Sequence, residues 1–277
     1  MFSLWVAFII GVVEGLTEFL PVSSTGHMIL VGNMLEFTGD KAETFEVVIQ
    51  LGAILAVAII YWRRVLRLFG WRDPQAPAPA AGSGSARRLN LLHIGLAIVP
   101  ALGLAFVFRD YIKLLFMPET VVIGLIAGGI FMMIGEKQQP AITAGDMDQL
   151  TYRQSFFIGM AQCLSLWPGF SRSGATIAGG MLAGASRAAA ADFTFLIAIP
   201  VMCAATGYEL LKNAGTMTAG DIGFLAVGFV IAFVVALLAV VTFIKLVGKL
   251  KLTYFSYYRF ALAAIVLIYM YTIGFPG

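Results

Sequence analysis

Charged residues are scarce in this sequence of 277 residues: Lys, Arg, Asp and Glu make up 12% of it, whereas hydrophobic residues make up 60%. Soluble domains carry about 25% charged residues, so the composition excludes an ordinary soluble protein and indicates a protein embedded in lipid. The net charge is only +3, so we expect no nucleic-acid partner. The opening residues lack a basic segment, and no cleaved signal peptide is expected.

Cysteine and histidine are equally rare, with two of each. Cys163 and Cys203 lie inside apolar stretches and lack the spacing of metal ligands. We interpret both as small apolar packing residues.

Apolar runs long enough to cross a bilayer, about 17 to 25 residues each, predict six spans: 44–62, 91–108, 119–136, 188–211, 222–244 and 255–275. Between the first two lies the segment 63–90, which is basic at both ends and rich in Pro, Ala, Gly and Ser in the middle. This composition is typical of a flexible loop. We therefore predict a single integral membrane domain over 1–277.

Two further apolar stretches, 2–36 and 153–184, are interrupted by polar residues near their centres, at "PVSSTG" and "PGFSRSG". Each half is about 15 residues long and therefore short for a full span. Irregular polar backbone at membrane depth is tolerated only where it is buried in protein or lines a wet cavity. We predict that both stretches are re-entrant helix hairpins.

The two hairpins resemble each other when the sequence is shifted by 148 residues, which aligns Gly11 with Gly159 and Ser23 with Ser171. Each is followed by three spans, so one unit crosses the membrane an odd number of times and the second unit is upside down. The predicted fold is all-α: six transmembrane helices and two re-entrant hairpins in an inverted-topology repeat, with halves at about 1–136 and 153–277.

Basic residues predict the orientation, because Lys and Arg concentrate in cytoplasmic loops. If the loop 63–90 is cytoplasmic, thirteen of the eighteen Lys and Arg residues fall on that side, with Arg259 counted near a helix end. Four lie on the other side: Lys41, Arg109, Lys113 and Lys212. The first hairpin then enters from outside and the second from the cytoplasm.

The first hairpin carries "EGLTEFLPVSSTGH", residues 14–27. Glu14 and Glu18 share one helix face, and such a pair needs a metal, a cation or a proton; a helix end dipping into water would instead leave both solvated. Pro21 ends the helix, and "SSTG" supplies hydroxyls and a glycine that can turn the backbone at positive φ. Amides at such a turn suit an anion, although a plain N-cap explains them equally well.

The second hairpin carries "PGFSRSGAT", which places Arg172 between Ser171 and Ser173. Arginine at membrane depth points to function, and its planar fork suits bidentate contact with phosphate. An ion pair between Arg172 and Glu14 or Glu18 is the structural alternative. It is compatible with phosphate binding, because the ion pair can form in the empty site. If the two tips meet, they supply an anion clamp, a nucleophile and a base, as phosphoryl transfer requires.

These two motifs resemble the signature motifs of the undecaprenyl pyrophosphate phosphatase family, the integral-membrane bacitracin-resistance type. The likeness covers nearly the whole chain, including "TFEVVIQLG" at 44–52. The resemblance implies hydrolysis of the terminal phosphate of undecaprenyl diphosphate, a lipid substrate. It also implies a bacterial inner-membrane location with a site open to the periplasm, and a divalent ion, Mg²⁺ or Ca²⁺.

Residue roles follow from the resemblance motif by motif. The catalytic candidates are Glu14, Glu18, Ser24 and His27, and the metal would be held by Glu14 and Glu18. The phosphate-binding candidates are Ser23, Thr25, Gly26, Ser171, Arg172, Ser173 and Thr176.

Several alternatives stay open at this point. The nucleophile is Ser24 activated by Glu18 or His27, or His27 itself, or a water molecule held by the metal. A polyprenyl-phosphate flippase that uses the repeat for alternating access is the rival function. Small-residue motifs such as "GLIAGG" permit close helix contact, inside one chain or across a homodimer.

Overall fold

The computed structural model describes residues 3–71, 89–213 and 221–274, and within these ranges the chain is helical, with no β-strand. The helices are α1 Leu4–Thr17, α2 Ser24–Met34, α3 Asp40–Leu68, α4 Leu91–Val107, α5 Arg109–Lys113, α6 Pro118–Lys137, α7 Tyr152–Leu164, α8 Arg172–Leu182, α9 Arg187–Asn213, α10 Ile222–Val247 and α11 Leu252–Thr272. A short 3-10 helix covers Met147–Gln149. The predicted all-α class is confirmed.

Five of the described helices, α3, α6, α9, α10 and α11, are long and apolar enough to cross a membrane. The sixth predicted span corresponds to α4, which has only 17 residues and contains Pro100. The chain is thus a multi-pass membrane protein, whereas the count of six spans stays a prediction.

The predicted loop 63–90 needs a correction at its start, because α3 continues through the basic residues as far as Leu68. Arginine is a good helix former, and apolar periodicity alone therefore placed the end of this helix too early. Residues 72–88, the Pro- and Ala-rich centre of the loop, lie outside the described residues. The short α5 and the 3-10 helix were not predicted.

Both predicted hairpins consist of two short helices joined by a turn, α1 with α2 and α7 with α8. Their boundaries repeat at the offset found in the sequence: α1 and α7 begin 148 residues apart, and α2 and α8 both begin and end 148 residues apart. The first helix of each starts at a hydroxyl N-cap, Ser3 or Thr151. The two hairpins therefore resemble each other in structure as well as in sequence.

Each hairpin packs on a helix from the other half of the chain, α1 on α10 and α7 on α4. Glycine permits the close approach in both places. A Cβ built on Gly11 would lie 2.8 Å from the Gly228 carbonyl oxygen, and one on Gly159 would lie 2.7 Å from that of Leu96. These two glycines are the pair that the sequence shift aligns. Their matching contacts support a repeat, and its inverted topology stays a prediction.

Candidate active site

The turn of the first hairpin is strained at a serine. Ser23 has φ of +71°, which non-glycine residues rarely adopt, at a cost of about 1–3 kcal/mol. Its hydroxyl accepts the Gly26 N–H at 3.4 Å and caps α2. The prediction that a glycine would supply the positive φ is wrong here. Gly26 is instead buried, with Leu125 and Leu262 close to the place of a Cβ.

The turn of the second hairpin has the same geometry at the matching position. Ser171 also has φ of +71°, and its hydroxyl accepts the Gly174 N–H at 3.2 Å. Strained backbone of this kind persists where surrounding packing enforces it, and it clusters at functional sites. The amide-rich start of α2 and that of α8 are therefore held in one shared, unusual conformation.

The tips of the two hairpins contact each other, and Glu18 makes the main contact. Its carboxylate accepts the Ser24 hydroxyl at 2.5 Å and forms an ion pair with the Arg172 guanidinium. A further contact crosses between the hairpins, because the Ser173 hydroxyl donates to the Leu20 carbonyl oxygen at 2.9 Å. The ion pair that the sequence offered as a structural alternative is thus present, with Glu18 as the partner.

A cavity of about 260 Å³ lies beside this contact. Six of the predicted site residues line it: Glu18, Ser23, Ser24, Thr25, Ser171 and Arg172. Its other walls include Ala101 and Ala105 of α4, Phe116, and Ala205 of α9. These residues lie towards the ends of the helices that the charge pattern predicts to face outside. Acid, hydroxyl and guanidinium groups therefore share one small cavity.

The other predicted site residues do not line the cavity. Gly26 and Ser173 lie in the first turns of α2 and α8, and Thr176 is fully buried. The Thr176 hydroxyl donates to the Arg172 carbonyl oxygen at 2.8 Å and accepts from Thr194. Thr176 thus stabilises α8 against α9 below the tip, whereas a direct contact with phosphate would need this side chain to move.

His27 is held by hydrogen bonds at both ring nitrogens. Nδ1 lies 2.8 Å from the Ser23 carbonyl oxygen and Nε2 lies 2.7 Å from the Tyr258 hydroxyl. Because a carbonyl only accepts, Nδ1 carries a proton, and Nε2 of the neutral ring accepts from Tyr258. The ring therefore holds the strained Ser23 backbone beside Ser24, and its Nε2 lone pair is occupied by the Tyr258 hydroxyl. Nothing in the sequence singled out Tyr258 as this partner.

Glu14 lies one turn below Glu18, is buried, and leaves Oε1 without a hydrogen-bond partner among the described residues. Gln162, which the sequence shift aligns with Glu14, likewise leaves Oε1 buried and unpaired. Hard divalent cations prefer oxygen ligands, and Mg²⁺ is commonly held by one or two carboxylates plus substrate phosphate. The donor chemistry fits such an ion, although no group of three His, Cys, Asp or Glu side chains gathers for it within the described residues.

Arg259 is the main residue that sequence reasoning misplaced. It was counted as a basic residue near a helix end, but its side chain is fully buried and turned towards the second tip. Its Nη2 donates to the Gly169 carbonyl oxygen at 2.7 Å and to that of Gly124 at 3.1 Å. A Cβ on Gly128 would overlap this guanidinium. Arg259 therefore ties α11 and α6 to the turn that carries Arg172.

We expect Arg259→Met to lower kcat by about 100-fold, because displacement of a catalytic group by about 1 Å from a distant change has an effect of this size. The variant leaves the Gly169 carbonyl without its donor and frees the second turn to move. Turnover would be measured beside the unfolding temperature of the purified protein.

Lys249→Met is the matched control, since this lysine is an exposed cation. Near-normal turnover in a well-folded Arg259→Met variant would show that the second turn does not depend on Arg259.

The chain is therefore a multi-pass membrane protein with a polar cavity at the contact between two helix hairpins. The family model described as "Bacitracin resistance protein BacA" matches residues 7–265. The chain belongs to this family, and the resemblance predicted from the two motifs is confirmed. Membership implies a phosphatase that acts on undecaprenyl pyrophosphate in a bacterial membrane.

Proposed function

We propose that this protein hydrolyses undecaprenyl diphosphate to undecaprenyl phosphate and inorganic phosphate, recycling the carrier lipid for cell-wall synthesis. The observation that carries the proposal is the position of Glu18, which contacts Ser24 of its own hairpin and Arg172 of the other. One carboxylate, the proposed base, thus contacts both the proposed nucleophile and the cation that would bind phosphate. Family membership supplies the substrate class.

Phosphate binding is the first step of the proposed mechanism. The terminal phosphate of the substrate enters the cavity and replaces the Glu18 carboxylate as a partner of Arg172, whose planar fork matches phosphate oxygens. The hydroxyls of Ser23, Thr25 and Ser171 line the same cavity and can donate to these oxygens. A divalent ion held by Glu14 and Glu18 would offset the negative charge of the diphosphate when bound.

Transfer of the phosphoryl group follows. Ser24 Oγ gives its proton to Glu18 and forms a bond to the terminal phosphorus, while the bond to the bridging oxygen breaks and undecaprenyl phosphate leaves with the electron pair. The leaving undecaprenyl phosphate takes this proton from Glu18, which restores the carboxylate. Water then gives a proton to Glu18 as its oxygen bonds to the phosphoseryl phosphorus. The bond from phosphorus to Ser24 Oγ breaks, inorganic phosphate leaves, and Glu18 returns the proton to Ser24 Oγ. Serine needs an adjacent base for such attack, and Glu18 at 2.5 Å meets that need.

The proposed site opens to the periplasm. Cavity walls at Ala105, Phe116 and Ala205 lie near helix ends that the charge pattern places outside. The inverted repeat, the inner-membrane location and a homodimer belong to the same proposal. A flippase remains the alternative, and no described contact favours it over hydrolysis.

The test of this function is release of inorganic phosphate from a long-chain prenyl diphosphate by the purified protein in detergent. We expect the prenyl monophosphate as the lipid product, loss of release on chelation, and recovery with Mg²⁺ or Ca²⁺. Glu119→Gln is the control, because this exposed acid at the start of α6 does not line the cavity. It should keep the wild-type rate. A folded wild-type protein that binds the lipid and moves it between leaflets without releasing phosphate would favour the flippase.

A further inference from the structure

A second cavity, of about 350 Å³, lies next to the polar one. It forms a groove between the outer end of α4 with α5 on one side and α6 on the other, with the second hairpin as its floor. Its walls are apolar throughout and include Leu104, Phe108, Ile123, Cys163, Leu164 and Phe170. Apolar walls of this kind suit hydrocarbon and exclude a charged group. We name this cavity the apolar groove.

The apolar groove and the polar cavity share two wall residues, Leu166 and Trp167. The Trp167 indole lies between the two cavities. Its N–H donates to the Thr120 carbonyl oxygen at 2.8 Å, which holds the ring in place. Helix α4 also borders both spaces, with Ala105 on the polar cavity and Leu104 on the groove. A molecule that passes Trp167 therefore leaves a charged environment and enters a hydrocarbon one.

We propose that the apolar groove binds the isoprenoid units nearest the diphosphate, so that Trp167 marks the junction between the head and the tail of the substrate. This inference rests on the proposed function and names the place where the tail leaves the site. The occupant follows from continuity: a diphosphate held by Arg172 carries a covalently attached hydrocarbon chain, and the groove is an apolar space that shares two wall residues with its cavity. Recognition of the tail then depends on α4, α6 and the second hairpin.

Cys163 provides a direct probe, because it lines the groove and the chain contains only one other cysteine, the exposed Cys203 of α9. Cys203→Ser leaves Cys163 as the only thiol, and Cys163→Ser leaves Cys203 as the matched control. The rate of reaction with N-ethylmaleimide would be measured with a long-chain prenyl monophosphate, with the prenyl alcohol and with inorganic diphosphate.

We expect the prenyl monophosphate, at about ten times its Kd, to slow the labelling of Cys163 about tenfold, since the occupied fraction sets the protection. Inorganic diphosphate should not slow it, the prenyl alcohol should slow it less, and Cys203 should react at one rate throughout. Equal protection of both thiols, or none of Cys163, would overturn the proposal. The labelling rates do not depend on turnover. They therefore test whether the tail binds in the groove even if the protein releases no phosphate.

A kinetic experiment tests the proposal if Cys163 reacts too slowly with N-ethylmaleimide in the ligand-free protein. Ala127→Phe narrows the groove from α6 and should lower kcat/KM for a prenyl diphosphate about tenfold relative to methyl diphosphate, which carries no isoprenoid unit. Ala261→Phe, on an exposed face of α11, is the matched control and should leave that ratio unchanged. An unchanged ratio in Ala127→Phe would also overturn the assignment.

Discussion

Glu18→Gln is expected to lower kcat by about 10³- to 10⁴-fold, at the upper end of what a general base contributes. The substitution keeps the shape of the side chain but removes the group that takes the Ser24 proton. The same change frees Arg172 from its carboxylate partner. Inorganic phosphate, a product, should therefore inhibit this variant at lower concentrations than it inhibits the wild type.

The opposite movements of kcat and product affinity distinguish the proposed role from simple misfolding, which would lower both. Steady-state kinetics with phosphate as inhibitor measures them together. A Glu18→Gln variant that retains wild-type kcat would show that another group accepts the proton, and weaker phosphate inhibition would contradict the competition for Arg172.

Arg172→Ala is expected to lower kcat/KM by about 10³- to 10⁵-fold, the range found when an arginine that stabilises a phosphoryl-transfer transition state is lost. The side chain sits at the cavity wall, partly buried at 19% exposure, and the alanine variant leaves Glu18 without its cation. Arg172→Lys should recover only part of the loss, because a point charge cannot replace two parallel N–H donors.

The matched control for Arg172 is Arg153, on α7 of the same hairpin, whose guanidinium lies over the Phe157 ring and away from the cavity. Arg153→Ala should retain wild-type kcat/KM in the same phosphate-release assay. Full rescue by Arg172→Lys would mean that charge alone matters there and that bidentate contact does not.

The sequence predicted the helices well because apolar runs and their polar interruptions directly reflect burial in lipid. The two interrupted stretches became the two hairpins, and the starts of α2 and α8 repeat at the predicted offset. The pairing of an acid with Arg172 was also foreseen, since a charge at membrane depth needs a partner. Local composition was enough for each of these features.

The remaining site features depend on contacts between distant parts of the chain. The His27 and Tyr258 side chains pair across 231 residues, and Arg259 reaches Gly124 across 135 residues through space that Gly128 leaves open. The positive φ at Ser23 and Ser171 was also missed, because local preference assigns that conformation to glycine. A single sequence contains no periodic signal for such contacts.

If both hairpins form one catalytic unit, Glu18 and Arg172 act together, and a double-mutant cycle in phosphate release measures whether they do. The kcat/KM of Glu18→Gln, Arg172→Ala and the double variant would be compared with the wild type. Residues that act as a unit are strongly non-additive, so we expect the double variant to fall within about tenfold of the worse single variant. Losses that multiply would mean that the two hairpins act independently and do not form one catalytic unit.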